Sequence, residues 1–278
     1  MECKMIKILL VTNETLGEGE DSFLASLLKG DFIVELYDVS QDIPSDCTNF
    51  DIFLFRNAWP ERIYDRKIKR LINIAIKNNI IIYNSLQQRS KSFSLKSYLY
   101  YLNDNFNNVI PTYKTLAEFP ENKAVLIKPQ NGGSSYGVKI FANKNKIRRK
   151  LNNYIIQEYI PFAKEQSYFF IDKKFCYALE TIAPGMDNRW ELKEFTPNRK
   201  MLQIAKSFMK WNNMPYGIDR IDFGVTSEGL MLLMEIESDR SYLSLEELSK
   251  NTLEMFIKEL KQSLKTVFLH SQKTKNHS

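Results

Sequence analysis

The sequence GIDRIDFGVTSEGLMLLMEIESDR, residues 217–240, predicts two antiparallel β-strands joined by a turn at residues 226–229. Its polar and apolar side chains alternate, which is typical of strands because successive side chains point to opposite faces of a sheet. With this turn, the predicted register sets Arg220 opposite Glu235, and directly opposed residues share a face. We therefore expect one charged face and one apolar face on this pair of strands.

The charged face of this strand pair predicts a metal and phosphate site. The same register sets Asp222 opposite Leu233 and Ile218 opposite Glu237. The charged face then collects Arg220, Asp222, Glu235 and Glu237, and the apolar face collects Ile221, Phe223, Val225, Leu230, Leu232, Met234 and Ile236. Three neighbouring carboxylates repel one another unless a cation neutralises them, and their oxygens favour Mg²⁺ or Mn²⁺. Arg220 can then stabilise charge on a transferred phosphoryl group. The alternative is a solvent-exposed face with Arg–Glu cross-strand pairs.

A second motif, IKPQNGGSSYGVKIF at residues 127–141, places a lysine within an apolar strand and a glycine-rich loop after it. An unpaired ammonium is costly to bury, so Lys128 is expected to meet an anion. The loop lets backbone N–H groups approach phosphate oxygens through Gly132, Gly133, Ser134, Ser135 and Gly137. The motif is neither a P-loop nor a dinucleotide fingerprint, because the lysine precedes the glycines and a strand follows them. A glycine-rich hairpin with an exposed lysine is the alternative.

A third motif, IIQEYIPFAKEQSYFF at residues 155–170, predicts a strand that ends in a turn. The turn can offer backbone groups of Gln157, Glu158, Tyr159 and Ile160 to an adenine edge, while Glu165 accepts hydrogen bonds from ribose hydroxyls. An ordinary strand–loop–strand with surface acids is the alternative.

The first 84 residues predict a parallel sheet covered by helices. Apolar runs at residues 5–11, 32–39, 51–57 and 80–84 predict buried strands, and residues 21–30 and 63–77 have helical spacing. Further helices are expected at 90–105, 199–211 and 245–268, and further strands at 124–141, 154–159, 166–171 and 175–181. The chain is therefore expected to be an α/β protein with α+β character. The basic run NKNKIRRK, residues 143–150, is more typical of a solvated loop or helix face than of a nucleic-acid site.

Histidine and cysteine usage excludes several classes of catalytic chemistry. The 278-residue chain has two histidines, His270 and His277, both near its end, so histidine-dependent nucleophile systems and zinc sites are not expected. Cys3, Cys47 and Cys176 are far apart, which indicates no disulfide framework and a reducing compartment. No apolar run is long enough to span a membrane, so we expect a cytoplasmic protein. The net charge of +6 suits nucleic acid, an anionic membrane or a phosphorylated ligand equally.

Together and in this order, the three motifs resemble those of the ATP-grasp superfamily. This superfamily includes D-alanine–D-alanine ligases, glutathione synthetases, RimK-type ligases and small cycloserine-forming cyclo-ligases. The resemblance implies an ATP-grasp fold with an N-terminal Rossmann-like pre-ATP-grasp domain at residues 1–84 and an ATP-grasp domain at residues 85–270. The latter would comprise a lid subdomain at about 111–183 and a C-terminal subdomain at about 184–270, followed by a disordered tail at 271–278.

The resemblance also implies a role for each matching residue. Arg220, Lys128 and Ser134 match catalytic positions, and Asp222 and Glu235 match magnesium ligands. Glu237 is taken as a third ligand where the family usually has asparagine, and MEIESDRSYLSL is similar to the pattern of small stand-alone members. The nucleotide-binding positions are Lys96 in SLKSYLYYL, Lys128, Gly132, Gly133, Ser134, Ser135, Gln157, Glu158, Tyr159, Ile160 and Glu165. Candidate substrate contacts are Arg56, Trp59, Arg189, Lys193 and Arg240, and for Arg56 an Arg–acid surface pair is the alternative.

The activity implied by the resemblance is that of an ATP- and Mg²⁺-dependent ligase. It would join a carboxylate to an amine or thiol through an acylphosphate, releasing ADP and phosphate. Expected partners are small-molecule or peptide carboxylates and amines, with no nucleic acid or membrane, for a monomer or homodimer. Two alternatives remain: an ATP-binding regulatory module or pseudo-enzyme without turnover, and a basic nucleic-acid-binding α/β protein that uses the +6 charge.

Overall fold

The computed structural model describes residues 5–14, 19–56, 65–84, 95–130, 137–148, 150–182, 191–237 and 241–275. The strands are β1 (Lys7–Thr12), β2 (Ile33–Asp38), β3 (Ile52–Phe55), β4 (Ile81–Tyr83), β5 (Thr112–Tyr113), β6 (Val125–Pro129), β7 (Lys139–Phe141), β8 (Tyr154–Glu158), β9 (Lys164–Ile171), β10 (Lys174–Ile182), β11 (Lys193–Glu194), β12 (Ile218–Val225) and β13 (Met231–Glu237). The helices are α1 (Glu20–Leu28), α2 (Asp65–Lys77), α3 (Tyr98–Asn105), α4 (Arg199–Asn212) and α5 (Lys250–Lys275).

The N-terminal sheet is parallel, as predicted, and its strand order is β2-β1-β3-β4. Its central strand β1 is buried on both faces: Ile8 and Leu10 belong to one core, and Leu9 and Val11 to another. Helices α1 and α5 pack on the first face, and α2 packs on the second. Both faces must be covered because parallel strands of this kind carry apolar side chains in both directions.

Two antiparallel sheets follow the parallel one. The lid sheet has the order β5-β8-β6-β7, and the central sheet has the order β11-β10-β9-β12-β13. Strands β9 and β10 pair within the central sheet, although the predicted lid of residues 111–183 included them. The division by sheets therefore falls between β8 and β9, a correction that depends on the long-range pairing of β9 with β12.

The register of β12 and β13 also differs from the predicted one. Arg220 pairs with Glu237 and Asp222 with Glu235, whereas Phe223 pairs with Leu233, so Met234 is the extra residue of a β-bulge. Compared with the predicted register, the bulge turns the side chains before Met234 on β13 to the opposite face of the sheet.

The apolar face of β13 is corrected accordingly. Met231 and Leu233 pack in the core with Ile236, in place of the predicted Leu230, Leu232 and Met234. Leu230 instead extends the turn after Thr226, and its side chain is 51% exposed. The polar face has the predicted residues, because the pairs Arg220–Glu237 and Asp222–Glu235 both lie on the same side of the bulge.

Helix α4 supports β12 from the apolar face. Its Ala205, Phe208 and Met209 lie in the same core as Ile221 and Phe223. The helix begins where the Asn198 side chain accepts a hydrogen bond from the Met201 amide, and it ends at Asn213 in the left-handed conformation. Capping at both ends fixes the helix under the strand that carries the charged residues.

The N-terminal sheet is joined to the central sheet at Asn84. The Asn84 side chain accepts from the Ile218 amide at 2.7 Å and donates to the Phe55 carbonyl at 3.3 Å. Gly217 has a φ of +135°, and a Cβ there would lie 2.7 Å from Asn84 Oδ1 and 2.9 Å from Met214 Cε. The start of β12 therefore requires glycine for both its backbone conformation and the close approach of Asn84.

The last helix is longer at its end, and begins later, than expected. A short 3₁₀ turn at Leu245–Glu247 precedes α5, which continues to Lys275, so most of the predicted disordered tail of residues 271–278 is helical. Within the described ranges, no helix is long and apolar enough to cross a membrane. Cys47 and Cys176 are buried free thiols.

We predict that Gly217→Ala destabilises the fold by about 2–4 kcal/mol, since it adds overpacking to an unfavourable positive φ. Gly229→Ala is the matched control: its φ is +81°, but nothing lies within 4 Å of the added Cβ, so a loss of about 1 kcal/mol is expected. Urea unfolding of the two variants measures the difference. Equal losses would contradict the close packing of Asn84 on Gly217.

Candidate active site

Charged side chains from β9, β12 and β13 converge on one face of the central sheet. Directly opposed residues in neighbouring strands share a face, and Asp222 is opposite Ser167 on one side and Glu235 on the other. Arg220 is opposite Glu237, and Glu165 lies on β9 two residues before Ser167. The apolar side chains of the same strands face the core beneath, which fixes this charged face toward the lid sheet.

Arg220 is the centre of this charged face. Its Nε and Nη2 donate to Asp222 Oδ2 at 3.0 and 2.9 Å, and Nη2 lies 2.6 Å from Glu237 Oε2. Its Nη1 donates to the Tyr242 carbonyl at 3.0 Å. Ser167 donates to the other oxygen of Asp222 at 2.7 Å. Such a charge-assisted set holds the guanidinium in one orientation.

Two lysines reach the same face from other parts of the chain. Lys128, on β6 of the lid sheet, is buried and donates from Nζ to the Met234 carbonyl at 3.0 Å. Lys96, in the 3₁₀ turn before α3, pairs with Glu235, and its amide donates to the Gln130 carbonyl. The anionic surroundings expected of Lys128 are present, because Glu235 lies close enough to act on both lysines.

The cations beside the carboxylates of this face neutralise their negative charge only in part. Although burial opposes ionisation, Lys96 and Lys128 hold the pKa of Glu235 at about 2. Burial, together with the repulsion of Glu235 and Asp222, raises the pKa of Glu237 to about 7 despite its contact with Arg220.

The same excess of negative charge extends to neighbouring acids. Burial and the nearby Asp222 raise the pKa of Glu165 to about 7. Burial and the repulsion of Glu235 also raise the pKa of Asp222, although Arg220 opposes the change. A bound cation would relieve this repulsion.

The donor set fits a hard divalent cation, because it consists of carboxylate oxygens whose negative charge is incompletely neutralised. In the conformation described, Arg220 and Lys96 contact these carboxylates instead. No three His, Cys, Asp or Glu side chains among the described residues are already arranged to hold a metal ion. Asp222, Glu235 and Glu237 are thus candidate ligands that would have to exchange a protein cation for a metal.

The turn predicted at residues 157–160, which we call the hinge, connects the lid sheet to the central sheet. Gln157 is buried on β8 and donates to Thr112 Oγ1 at 3.0 Å, and Glu158 pairs with Lys123 at 2.7 Å. Tyr159 follows with its ring 37% exposed and its amide bonded to the Ala124 carbonyl, and Ile160 is half-buried.

The end of this hinge packs against β12. A Cβ on Gly224 would overlap the Phe162 ring, and the Ala163 amide donates to the Val225 carbonyl at 2.8 Å. The hinge therefore ends directly on the strand that carries Arg220 and Asp222.

The candidate substrate contacts fare differently. Arg56 is fully buried and paired with Glu20 and Asp21, so it forms the Arg–acid pair given as the alternative, but inside the protein and not at its surface. Lys193 is exposed on β11, beside Glu180 on β10. The remaining candidates lie outside the described residues, as does the glycine-rich loop: Trp59, Arg189, Arg240, Gly132, Gly133, Ser134 and Ser135.

Three groups at this face were not singled out from the sequence. Ser167 had a signal, because it lies two residues from Glu165 on one strand and so shares its face. The carbonyls of Met234 and Tyr242 had none, since any residue supplies a carbonyl and only the bulge and the chain path direct these two toward Lys128 and Arg220.

No protein-family profile and no curated protein sequence matches the chain. Solved structures match it over nearly its whole length. A D-cycloserine synthetase, DcsG, is 17% identical at a TM-score of 0.69, covering 92% of this chain and 99% of that one. A D-alanine–D-alanine ligase from Bacillus anthracis, complexed with ATP, is 13% identical at a TM-score of 0.69, with coverages of 97% and 99%. The ATP-grasp ligase PsnB, complexed with minimal precursor, Mg and ADP, is 10% identical at a TM-score of 0.61, with coverages of 95% and 100%.

We predict that Lys128→Met removes a pH dependence of stability. Burial and the nearby Lys96 lower the pKa of Lys128 to about 8, against 10.5 for an ordinary lysine. Between these values the unfolded chain binds more protons than the folded chain, so the free energy of unfolding contributed by Lys128 rises with pH. Urea unfolding at pH 8 and pH 10, in metal-free buffer, should give a smaller rise for Lys128→Met than for the wild type.

Lys139→Met is the control for this measurement, because Lys139 is an exposed lysine on the edge strand β7. This variant should keep the wild-type rise between pH 8 and pH 10. An unchanged rise in Lys128→Met would show that Lys128 is not the titrating group.

Proposed function

We propose, starting from the ATP-grasp fold of the chain, that it is an ATP- and Mg²⁺-dependent ligase joining a carboxylate to an amine or thiol. One observation supports this most: a single sheet face brings together the Arg220 guanidinium, three carboxylates and two lysines that come from separate parts of the chain. Phosphoryl transfer needs positioning and charge stabilisation of this kind and no histidine nucleophile.

Nucleotide binding is assigned to the cleft between the lid sheet and the central sheet. Lys96 and Lys128 are the cations that would meet the phosphates, with the loop of residues 132–135 covering them. The hinge of residues 157–160 would present its backbone to adenine, and Glu165 would accept from the ribose hydroxyls. The charged face holds both lysines beside acids. A bound cation would neutralise these acids, so the lysines could then pair with phosphate oxygens.

Asp222, Glu235 and Glu237 are the residues that would hold magnesium. The bound ion supplies charge neutralisation on the transferred phosphate oxygens. In the conformation described, Arg220 and Lys96 supply positive charge to the same carboxylates.

The chemistry assigned to the chain has two steps. In the first, an oxygen of the substrate carboxylate bonds to the γ-phosphorus and the bond to ADP breaks, giving an acylphosphate. In the second, an amine nitrogen or thiolate sulfur bonds to the acyl carbon, and phosphate leaves with the electron pair of its C–O bond. An attacking amine also releases one proton to solvent or to the departing phosphate. Arg220 stabilises the negative charge that develops on the phosphoryl oxygens, and Lys128 orients the same group.

The substrates we propose are small amino acids or peptides. Structures that share the fold include a D-cycloserine synthetase, a D-alanine–D-alanine ligase and the macrocyclase MdnC bound with precursor peptide MdnA. Amino acids and peptides each supply a carboxylate and an amine, the two groups that the proposed reaction joins.

We predict that the wild-type chain binds Mg-ATP and that Lys128→Met weakens this binding at least about tenfold, the cost of a lost charge-assisted contact. Lys139→Met, with the same change of charge on an exposed edge strand, should stay within about twofold. Calorimetric titration measures the affinities. Equal weakening in both variants would mean that ATP responds only to net charge.

Turnover distinguishes the ligase from its alternatives. ADP and phosphate should form when Mg-ATP is supplied with pools of amino acids and short peptides, and Glu235→Gln should abolish their formation. Binding without ADP would favour the regulatory module. Absence of nucleotide binding, together with salt-dependent oligonucleotide binding, would favour a nucleic-acid-binding protein.

A further inference from the structure

A buried ion network lies where β1 and β3 end and helix α1 begins. Arg56 donates from Nη2 to Glu20 Oε2 at 3.1 Å and from Nε to Asp21 Oδ1 at 3.2 Å. The Thr12 hydroxyl also donates to Asp21. All of these side chains are buried, and those of Arg56 and Asp21 are completely so.

The Glu20 carboxylate accepts hydrogen bonds from the backbone of a distant segment, residues 241–245, which we call the strap. Its Oε2 accepts from the Leu243 amide at 2.9 Å and its Oε1 accepts from the Leu245 amide at 3.2 Å. The Tyr177 hydroxyl donates to the Leu243 carbonyl at 2.8 Å. The strap is thus fastened through its own backbone to α1 and to β10.

The strap reaches the charged face at the Tyr242 carbonyl. The Tyr242 carbonyl, next to the anchored Leu243, accepts from Arg220 Nη1 at 3.0 Å. The other donors of this guanidinium go to Asp222 and Glu237. The hydrogen bonds of Glu20, together with those of Tyr177 to Leu243 and of Arg56 to Ser241, therefore hold the third partner of Arg220 in place.

The choice of residues argues that this network does more than fill the core. Two buried carboxylates share one guanidinium, and a buried ion group of this kind is often no more stabilising than well-packed apolar side chains. A carboxylate is nevertheless suited to the position, because it accepts two backbone N–H groups at once and donates none. Its geometry fixes the strap more sharply than apolar packing would.

We propose that Glu20 is a positioning residue that orients Arg220 through the strap, so that the guanidinium faces the terminal phosphoryl group of ATP. This inference rests on the proposed function. Glu20 does not touch the nucleotide, and its effect is confined to the group that Arg220 contacts. Loss of Glu20 should therefore weaken binding of a triphosphate more than that of a diphosphate.

Glu20→Gln tests this selectivity. The amide keeps the shape of the carboxylate but replaces one acceptor oxygen with a donor facing a backbone N–H group. The probes are Mg²⁺ with ADP and Mg²⁺ with a nonhydrolysable ATP analogue, titrated calorimetrically against the full chain. The dissociation constant of Mg-ADP divided by that of the Mg-bound ATP analogue should fall about tenfold toward unity. The affinity for ADP should stay within about twofold of wild type.

A double-mutant cycle with Arg220→Gln separates positioning from general loosening of the structure. If Glu20 acts through Arg220, Glu20→Gln should leave the ratio unchanged in the Arg220→Gln background. Tyr83→Phe is the matched control, since it removes the buried contact between Tyr83 and Ser263 at another place where β4 meets α5. It should lower thermal stability without changing the ratio.

The outcomes are distinct. No nucleotide binding by the wild type would overturn the proposed function itself. A normal ratio in folded Glu20→Gln, or an equal effect with and without Arg220, would overturn the inference alone. Should Glu20→Gln fail to fold, Tyr177→Phe decides the question: it removes one hydrogen bond to the strap, so a smaller fall of the ratio supports the inference and an unchanged ratio refutes it.

Discussion

The arrangement of the candidate site depends on the Arg220 guanidinium. It binds carboxylates of two adjacent strands, Asp222 on β12 and Glu237 on β13, and a backbone carbonyl of the strap. Removing the guanidinium would be destabilising, because it would leave the charges of two mostly buried carboxylates uncompensated. Without Arg220, the acids of this face would repel one another in a largely desolvated cleft. The same contacts that stabilise the face hold a cation where phosphoryl transfer would need one.

Each of the three sheets contributes to this face through a different kind of constraint. The central sheet sets the charged residues by strand register, and the bulge at Met234 directs a carbonyl toward Lys128 of the lid sheet. The N-terminal sheet acts through Glu20 and Asn84, which bind backbone amides of the strap and of β12.

Local pattern was sufficient to predict the parallel sheet, the three motifs and the charged face, because these depend on alternation within single strands. It was insufficient for the apolar face of β13, since a bulge appears only when two strands are paired and Met234 has no marker of its own. The place of β9 in the central sheet and the burial of Arg56 depend on contacts distant in sequence. The role of the strap could not be predicted from the sequence, because its backbone atoms make the contacts and no residue type encodes their direction.

We propose that ATP reacts at the face around Arg220. A crystal structure of the full chain with Mg²⁺ and a nonhydrolysable ATP analogue would test this. We expect the terminal phosphates between Lys96, Lys128 and Arg220, magnesium on Asp222 and Glu235, and adenine at the hinge of residues 157–160. A nucleotide bound elsewhere on the chain, or phosphates that leave Arg220 paired only with Asp222 and Glu237, would contradict it.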